Sequence, residues 1–274
     1  MRPGVPGDKT SFKIHIISRI KSLSTLVRPK NDFNRTLLIM DIVRQLEESI
    51  KQFHTIRTST SDNRANACSG KSLAKVEQTI IDYIKQKCDD DPDIKYYTGR
   101  KASLPGHFRS NKDWDIVIKQ YGELKCAIEL KSMLSSFGNN FNNRLEECLG
   151  CGYDLKKSYE SYKKEYPMIC YLIFIPDNKE SRKLRSDGES YITKFKELCQ
   201  KVVQDNLYRQ ALVVTYTVDD THDSTITFDS QNIKSFLDNI IGYITKNEIP
   251  EHRQEIIQKS QTSLDKFVKK CPKT

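Results

Sequence analysis

From Thr36 to Phe53 apolar residues fall at Leu37, Ile39, Met40, Ile42, Val43, Leu46 and Ile50. This is the spacing of one buried helix face, and it predicts a helix. The stretch Thr55 to Ser69 is rich in Ser, Thr, Asn and Asp and reads as a loop. Leu73, Val76, Ile80 and Ile84 then mark the apolar stripe of a second helix ending near Cys88, closed by the turn residues Asp89 to Asp93. After that the period changes. Trp114, Ile116 and Ile118 alternate with Asp115 and Val117, and Cys126, Ile128 and Leu130 alternate with Ala127, Glu129 and Lys131. Period two predicts two strands. Tyr121-Gly122-Glu123 between them reads as a three-residue hairpin loop, its glycine supplying a positive φ. A helical stretch is expected from about Arg144 to Glu165. Met168 to Ile175 is a continuous apolar run of the kind found in a strand buried on both faces. Tyr191, Phe195, Leu198 and Val202 predict a helix, Ala211 to Val218 a strand, and Ile233, Phe236, Leu237, Ile240 and Ile244 a last helix. A hairpin followed by alternating helices and buried strands argues for an α/β fold, with a central mixed β-sheet flanked by helices.

Composition refines this picture. The first forty residues carry Pro3, Gly4, Pro6 and Gly7, then a basic stretch through Arg19, Lys21, Arg28 and Lys30. They are expected to be a basic N-terminal extension, residues 1–40, before a single domain spanning 41–274. The chain has 274 residues, 37% of them hydrophobic, enough to fill a core. With 30% charged residues it has no apolar run of eighteen and no secretory leader pattern, so a soluble, cytoplasmic protein is expected. A net charge of +9 favours a polyanionic partner, nucleic acid first. The eight cysteines are scattered, and the CxxC of Cys148 and Cys151 has no second ligand pair at zinc-site spacing. None of the five histidines forms an HxH or HExxH pair.

The segment from Lys112 to Arg144 holds the chemistry. With a loop of three residues, paired positions of the hairpin sum to 244, which sets Asp115 opposite Glu129. Lys131, two residues on, shares their face. Facing carboxylates repel one another, and a cation between them removes the conflict. A hard divalent ion such as Mg²⁺ takes carboxylate oxygens and is completed by water and phosphate, which describes a phosphodiesterase site. Taken alone, D-x(13)-E-x-K is equally satisfied by a solvated strand face with an ordinary salt bridge.

The surrounding sequence is more specific. LPGHFRSNKDWDIVI (104–118), AIELKS (127–132) and SSFGNNFNNRLEE (135–147) resemble the XhoI family of type II restriction endonucleases, a branch of the PD-(D/E)xK nucleases. Weaker similarity continues through YLIFIPDNKESR (171–182) and residues 191–214, so that the likeness covers most of the chain from about residue 41. The resemblance implies a PD-(D/E)xK core in which Asp115 and Glu129 hold metal and Lys131 completes the catalytic set. Trp114 stands where the wider superfamily has proline, as in the XhoI family itself. It further implies Mg²⁺ as cofactor and double-stranded DNA as substrate, cut at the palindrome CTCGAG to leave 5′-phosphate ends. A prokaryotic cytoplasm, a homodimer matching the palindrome, and a methyltransferase protecting the host are implied with it. Rival readings are a repair or junction-resolving nuclease of the same superfamily, and a basic DNA-binding protein with an inactive site.

Other residues have weaker signals. Glu77 lies at the edge of the stripe formed by Leu73, Val76, Ile80 and Ile84; it reaches solvent or, as in relatives of the wider superfamily, adds an acid to the metal site. Phe137 to Arg144 is expected to be a loop whose Asn139, Asn140, Asn142, Asn143 and Arg144 read base edges or touch phosphate, with Arg109 as a further DNA contact. Asn143 is equally suited to cap the expected helix, and Glu146 and Glu147 to complement its dipole. Ala65 to Ser72 matches A-x(4)-G-K-S but follows polar residues rather than a buried strand, which argues against a phosphate-binding loop.

Overall fold

The structure is a computed structural model and describes residues 32–58, 73–88, 91–161, 166–219 and 225–246, with side chains from residue 42 onward. The basic extension before residue 32, the A-x(4)-G-K-S segment, and Asp89 and Asp90 lie outside the described residues. The chain divides into two units at Arg44/Gln45, inside helix α1 (Asp32–Thr58). The larger unit, Gln45–Thr274, contains the sheet and every candidate site residue.

Helix α1 runs five residues past the predicted end, so Thr55 to Thr58 are helical rather than loop. Thr55 and Thr58 return their hydroxyls to the carbonyls of Lys51 and His54, which satisfies them inside a helix. Helix α2 (Ala74–Lys87) lies where its stripe predicts, burying Val76, Ile80 and Ile84. A mixed sheet follows, in the order β1 (Ile94–Tyr97), β4 (Ile116–Gln120), β5 (Glu123–Ser132), β6 (Met168–Pro176), β7 (Gln210–Asp219) and β8 (Thr225–Phe228). The inner pairs β5–β6 and β6–β7 are parallel, and the outer pairs are antiparallel. All nine residues of β6 are buried, as its unbroken apolar run requires. Between β1 and β4 a turn of 3₁₀ helix (Gly99–Ala102) leads into a small ribbon of β2 (Ser103–Leu104) paired with β3 (Lys112–Asp113).

Alternation along the strands gives each face its own core. Val117, Ala127, Ile169, Tyr171, Ile173 and Val213 pack against helices α3 (Phe137–Ser161) and α4 (Tyr191–Gln204). Ile116, Ile118, Ile128, Leu130, Leu172 and Phe174 are equally buried and belong to the opposite face. There helix α5 (Ser230–Thr245) contacts β5 and β7, and α2 contacts α5. This is the expected α/β architecture, a mixed sheet flanked by helices and compatible with a restriction-endonuclease core. Among the described residues no helix is long and apolar enough to cross a membrane.

Two expectations need correction. The hairpin turn has two residues, Tyr121 and Gly122, both at positive φ (56° and 86°). Gln120 pairs with Glu123, and a shift between Ile118 and Lys119 leaves Lys125 as a bulge. That bulge restores the sum of 244 for Ile116–Ile128, Val117–Ala127 and Ile118–Cys126. The second concerns Phe137 to Arg144, which forms the first turns of α3 rather than a loop. Glycine and asparagine are poor helix formers, but Phe137 and Phe141 are one turn apart and buried, packing against Tyr191 and Phe195 in tilted and edge-to-face contacts. Tertiary burial of that pair overrides local preference. Ser136, at φ 54°, ends the preceding connection and accepts the N–H groups of Asn139 and Asn140. Asn143 is therefore seven residues too late to cap the helix, and Glu146 and Glu147 lie beyond its first turn.

Candidate active site

The site is assembled on the β4–β5 hairpin. Asp115 immediately precedes β4, and its Oδ2 accepts the backbone N–H of Leu130 at 2.6 Å. This bond fastens the carboxylate to β5 between Glu129 and Lys131. Glu129 is 4% exposed, and both of its oxygens are taken by lysines. Lys131 Nζ donates to Oε1, and Lys112 Nζ, from β3, donates to Oε2 at 2.6 Å.

The electrostatics are those of a crowded, partly desolvated cluster. Burial, then the neighbouring Glu129 charge, push Asp115 up to about 6, with Lys131, the Leu130 N–H and Lys112 opposing. Burial works against the Lys131 ammonium, but Glu129 and Asp115 outweigh it and hold its pKa above the ordinary value. Glu77, half-buried on α2, is pushed to about 7 by burial and then by Asp115. The structure thus brings Glu77 into the field of the hairpin acids.

The donor set suits a hard divalent cation. Two carboxylates crowded by burial and mutual repulsion would be relieved by one, and a cation held by only two carboxylates would keep positions for water and phosphate. Two buried polar atoms of this corner also lack partners among the described residues: the hydroxyl of Tyr171, which pairs with Glu129 in register, and Nε of Arg144. The Tyr171 hydroxyl lies in the fields of Arg144 and Glu129, so this part of the site has polar capacity for a further group. Among the described residues no three acidic, histidine or cysteine side chains form a closed metal cage.

The other sequence candidates are spread around α3. Asn139, Asn142 and Asn143 are exposed and share one helix face at spacings of three and four, whereas Asn140 is half-buried. Arg144 bonds Glu147 Oε2 at 2.5 Å, and Glu147 adds to the field on Lys131. Arg109 lies farther along, its Nε 3.0 Å from Asp154 Oδ2 on α3.

Two residues of this region carry no signal in the sequence pattern strong enough to name a partner. Lys112 is on a strand of only two residues, too short to show a period. Asp154 is a lone acid on the buried side of α3. Its Oδ1 accepts the N–H groups of His107 and Phe108 at 2.9 and 2.7 Å, which ties the 106–109 turn to the helix. Asp154 Oδ2 would lie 2.0 Å from a Cβ on Gly106, so the glycine is required by this approach. The cues were the glycine in LPGHFR and a single Asp on an apolar helix face; neither identifies its partner.

Comparison with known proteins decides the family. The family described as Restriction endonuclease XhoI matches residues 51–228, a span that contains the hairpin, the β2–β3 ribbon and α3. The chain belongs to the XhoI restriction endonuclease family. Relatives of the XhoI family include the type II restriction enzyme XhoI of Xanthomonas vasicola, 27% identical over 179 residues (56% of this chain and 72% of that one). BstVI of Geobacillus stearothermophilus is 27% identical over 175 residues (56% and 76%). AbrI of Azospirillum brasilense is 40% identical over 89 residues (31% and 40%). All three are named type II restriction enzymes, that is, site-specific deoxyribonucleases. No solved structure matches the chain significantly.

Proposed function

We propose that this protein is a Mg²⁺-dependent type II restriction endonuclease that cuts both strands of duplex DNA at a short palindrome, CTCGAG by family likeness. The observation that carries the reading is the convergence of Asp115, Glu129 and Lys131 on one hairpin, inside the span that matches the family.

Asp115 and Glu129 would hold the cation, with Glu77 as an additional carboxylate. When bound, the cation polarises the scissile phosphate and acidifies a water. Asp115, fixed by the Leu130 N–H, keeps its second oxygen directed by the backbone rather than by rotamer choice. Lys131, paired with Glu129, donates to a phosphoryl oxygen and steadies the charge that develops there. The attacking water gives a proton to solvent as its oxygen bonds to phosphorus and the P–O3′ bond breaks; the leaving oxygen takes a proton from solvent, giving 5′-phosphate and 3′-hydroxyl ends.

The exposed face of Asn139, Asn142 and Asn143, together with Asn140, Arg144 and Arg109, is assigned to DNA contact. Asparagine suits adenine edges and arginine suits guanine edges or phosphate. A palindrome is read economically by a two-fold dimer, with one site for each strand. A separate methyltransferase would protect host DNA in the same cytoplasm. Residues 41–274 constitute the nuclease domain on this reading, and residues 1–40 an extension outside it. The test is to digest phage DNA with the purified protein and sequence the ends. Discrete fragments ending at one palindrome, lost with EDTA and restored with Mg²⁺, are expected. Structure-dependent nicking, or retarded but intact DNA, overturns the proposal.

A further inference from the structure

We propose that Lys112 is a second lysine of the catalytic centre, whose ammonium binds a phosphate oxygen of the cleaved strand alongside Lys131. The inference rests on the assignment of Asp115 and Glu129 as the metal-binding acids.

Both lysines bond Glu129, and neither makes an ion pair with Asp115 among the described residues. Moving an ammonium into a site that leaves its side chain 13% exposed has a desolvation cost, and a second cation on the same carboxylate adds like-charge repulsion. Lys112 is nevertheless held from three sides. Its Nζ lies 2.6 Å from Glu129 Oε2, 3.0 Å from the carbonyl oxygen of Asp113, and 4.7 Å from the centre of the Trp114 ring. Trp114 is 2% exposed, so the aromatic platform under the cation is itself fixed by packing. This gives the Trp preceding the metal-binding Asp a positioning role: it orients a cation over the site.

The charges fit a phosphoryl transition state. Asp115 and Glu129 supply two negative charges, and Lys112 and Lys131 two positive ones. A divalent cation then leaves a surplus of two positive charges. Glu77 makes no ion pair with either lysine among the described residues, and where its carboxylate joins the cation any such surplus is lower by one charge. A phosphodiester carries one negative charge, and the pentacovalent arrangement formed by hydroxide attack carries two. With Lys131 alone the surplus would match the ground state; the second lysine matches the transition state, which is where stabilisation accelerates reaction. Lys112 has a second consequence: it occupies an oxygen of Glu129 that the cation also needs, so the two compete for that carboxylate.

The two roles separate in a Lys112→Met variant, which keeps the apolar stem over Trp114 and removes the charge. Single-turnover cleavage of the duplex that the wild-type enzyme cuts should fall about 10²-fold at saturating Mg²⁺. The Mg²⁺ midpoint should fall or hold, since one competitor for Glu129 is gone. Binding of the same duplex in Ca²⁺ should lose about 0.9 from its slope of log affinity against log salt, the effect of one phosphate contact. Lys112→Arg should retain the slope, and it provides a charged control if the methionine variant melts early. Cleavage within threefold of wild type with an unchanged slope would overturn the proposal. So would a slow rate that additional Mg²⁺ fully restores, because Lys112 would then serve only to organise Glu129. An Asp115→Asn control run in parallel isolates the premise: if that variant cleaves normally, the assignment of the metal-binding acids has failed, whereas the salt slope still reports on Lys112.

Discussion

Asp115 is outside any strand, yet its position is among the best defined in the site, because a backbone N–H of the neighbouring strand holds its carboxylate. Asp115→Asn and Glu129→Gln are expected to abolish cleavage while specific binding in Ca²⁺ persists. Cleavage within tenfold of wild type in either variant would remove that residue from the metal set. Lys131→Ala should cost roughly 10² or more in single-turnover rate with metal binding largely retained, the size of one electrostatic group. Asp154 acts differently, as a structural acceptor. Burial opposes its charge, but the Phe108 N–H and the Arg109 guanidinium outweigh that and hold its pKa below the usual carboxylate value. A depressed folded-state pKa means stabilisation that is present above the unfolded pKa and lost as pH falls through the folded one. Asp154→Ala should therefore lower stability by about 1.5–3 kcal/mol near neutrality, as for hydrogen bonds to a charged acceptor. Thermal melting from pH ~6 down to ~3 should show the difference from wild type shrinking in acid. A constant difference across that range would show that the charge of Asp154 is not what holds the turn.

Helix α3 is the element on which the site most depends, since one end faces the hairpin and a later turn anchors the 106–109 segment. Its early turns are held by tertiary contact rather than by propensity. Phe141→Ala should remove about 3–5 kcal/mol and release the Asn-rich turns, read as a loss of amide-exchange protection from Phe137 to Arg144 beyond that in the rest of the helix. Uniform loss along α3 would mean that the asparagine segment is stable by itself. Close approach in the middle of the helix has a similar cause. A Cβ on Gly152 would lie 2.6 Å from Tyr208 Cε2 and 2.8 Å from Leu207 Cγ. Here the Tyr208 hydroxyl reaches the Cys148 carbonyl at 2.8 Å, fixing α3 to the connection between α4 and β7. Gly152→Ala is accordingly expected to cost about 1–3 kcal/mol by overpacking.

For the whole molecule, the +9 charge and the repelling acids make two opposite demands on solution conditions. DNA binding should weaken steeply with salt, each phosphate contact adding about −0.9 to the slope. Metal binding should stabilise the DNA-free protein. If Asp115 and Glu129 are the ligands, Ca²⁺ well above its dissociation constant should raise the melting temperature of wild type, by about 2.7 kcal/mol of stabilisation at a hundredfold excess. The rise should vanish in Glu129→Gln. An equal rise in both would place the cation elsewhere.

The order of helices and strands was legible along the chain because each long element presents an apolar period, and β6 and the stripe of α2 appear where that period lies. The register beside Asp115 and Glu129, with Ile116 opposite Ile128, was legible as well, because side-chain alternation and a short turn leave few registers. The correct pairing arose from a two-residue turn with a bulge, which preserves the parity that a three-residue loop would have produced. The family likeness rested on local strings, which the chain carries whatever its fold. Tertiary structure alone decided the rest. Asn-rich residues 137–144 became helix because two phenylalanines found aromatic partners on α4, a contact about 50 residues away along the chain that outweighs local preference. Lys112 came to Glu129 and Asp154 to the 106–109 turn by the same kind of long-range approach. A two-residue strand and a single acid have no period to read, and a polar side chain's partner is fixed by where the sheet and helices place it.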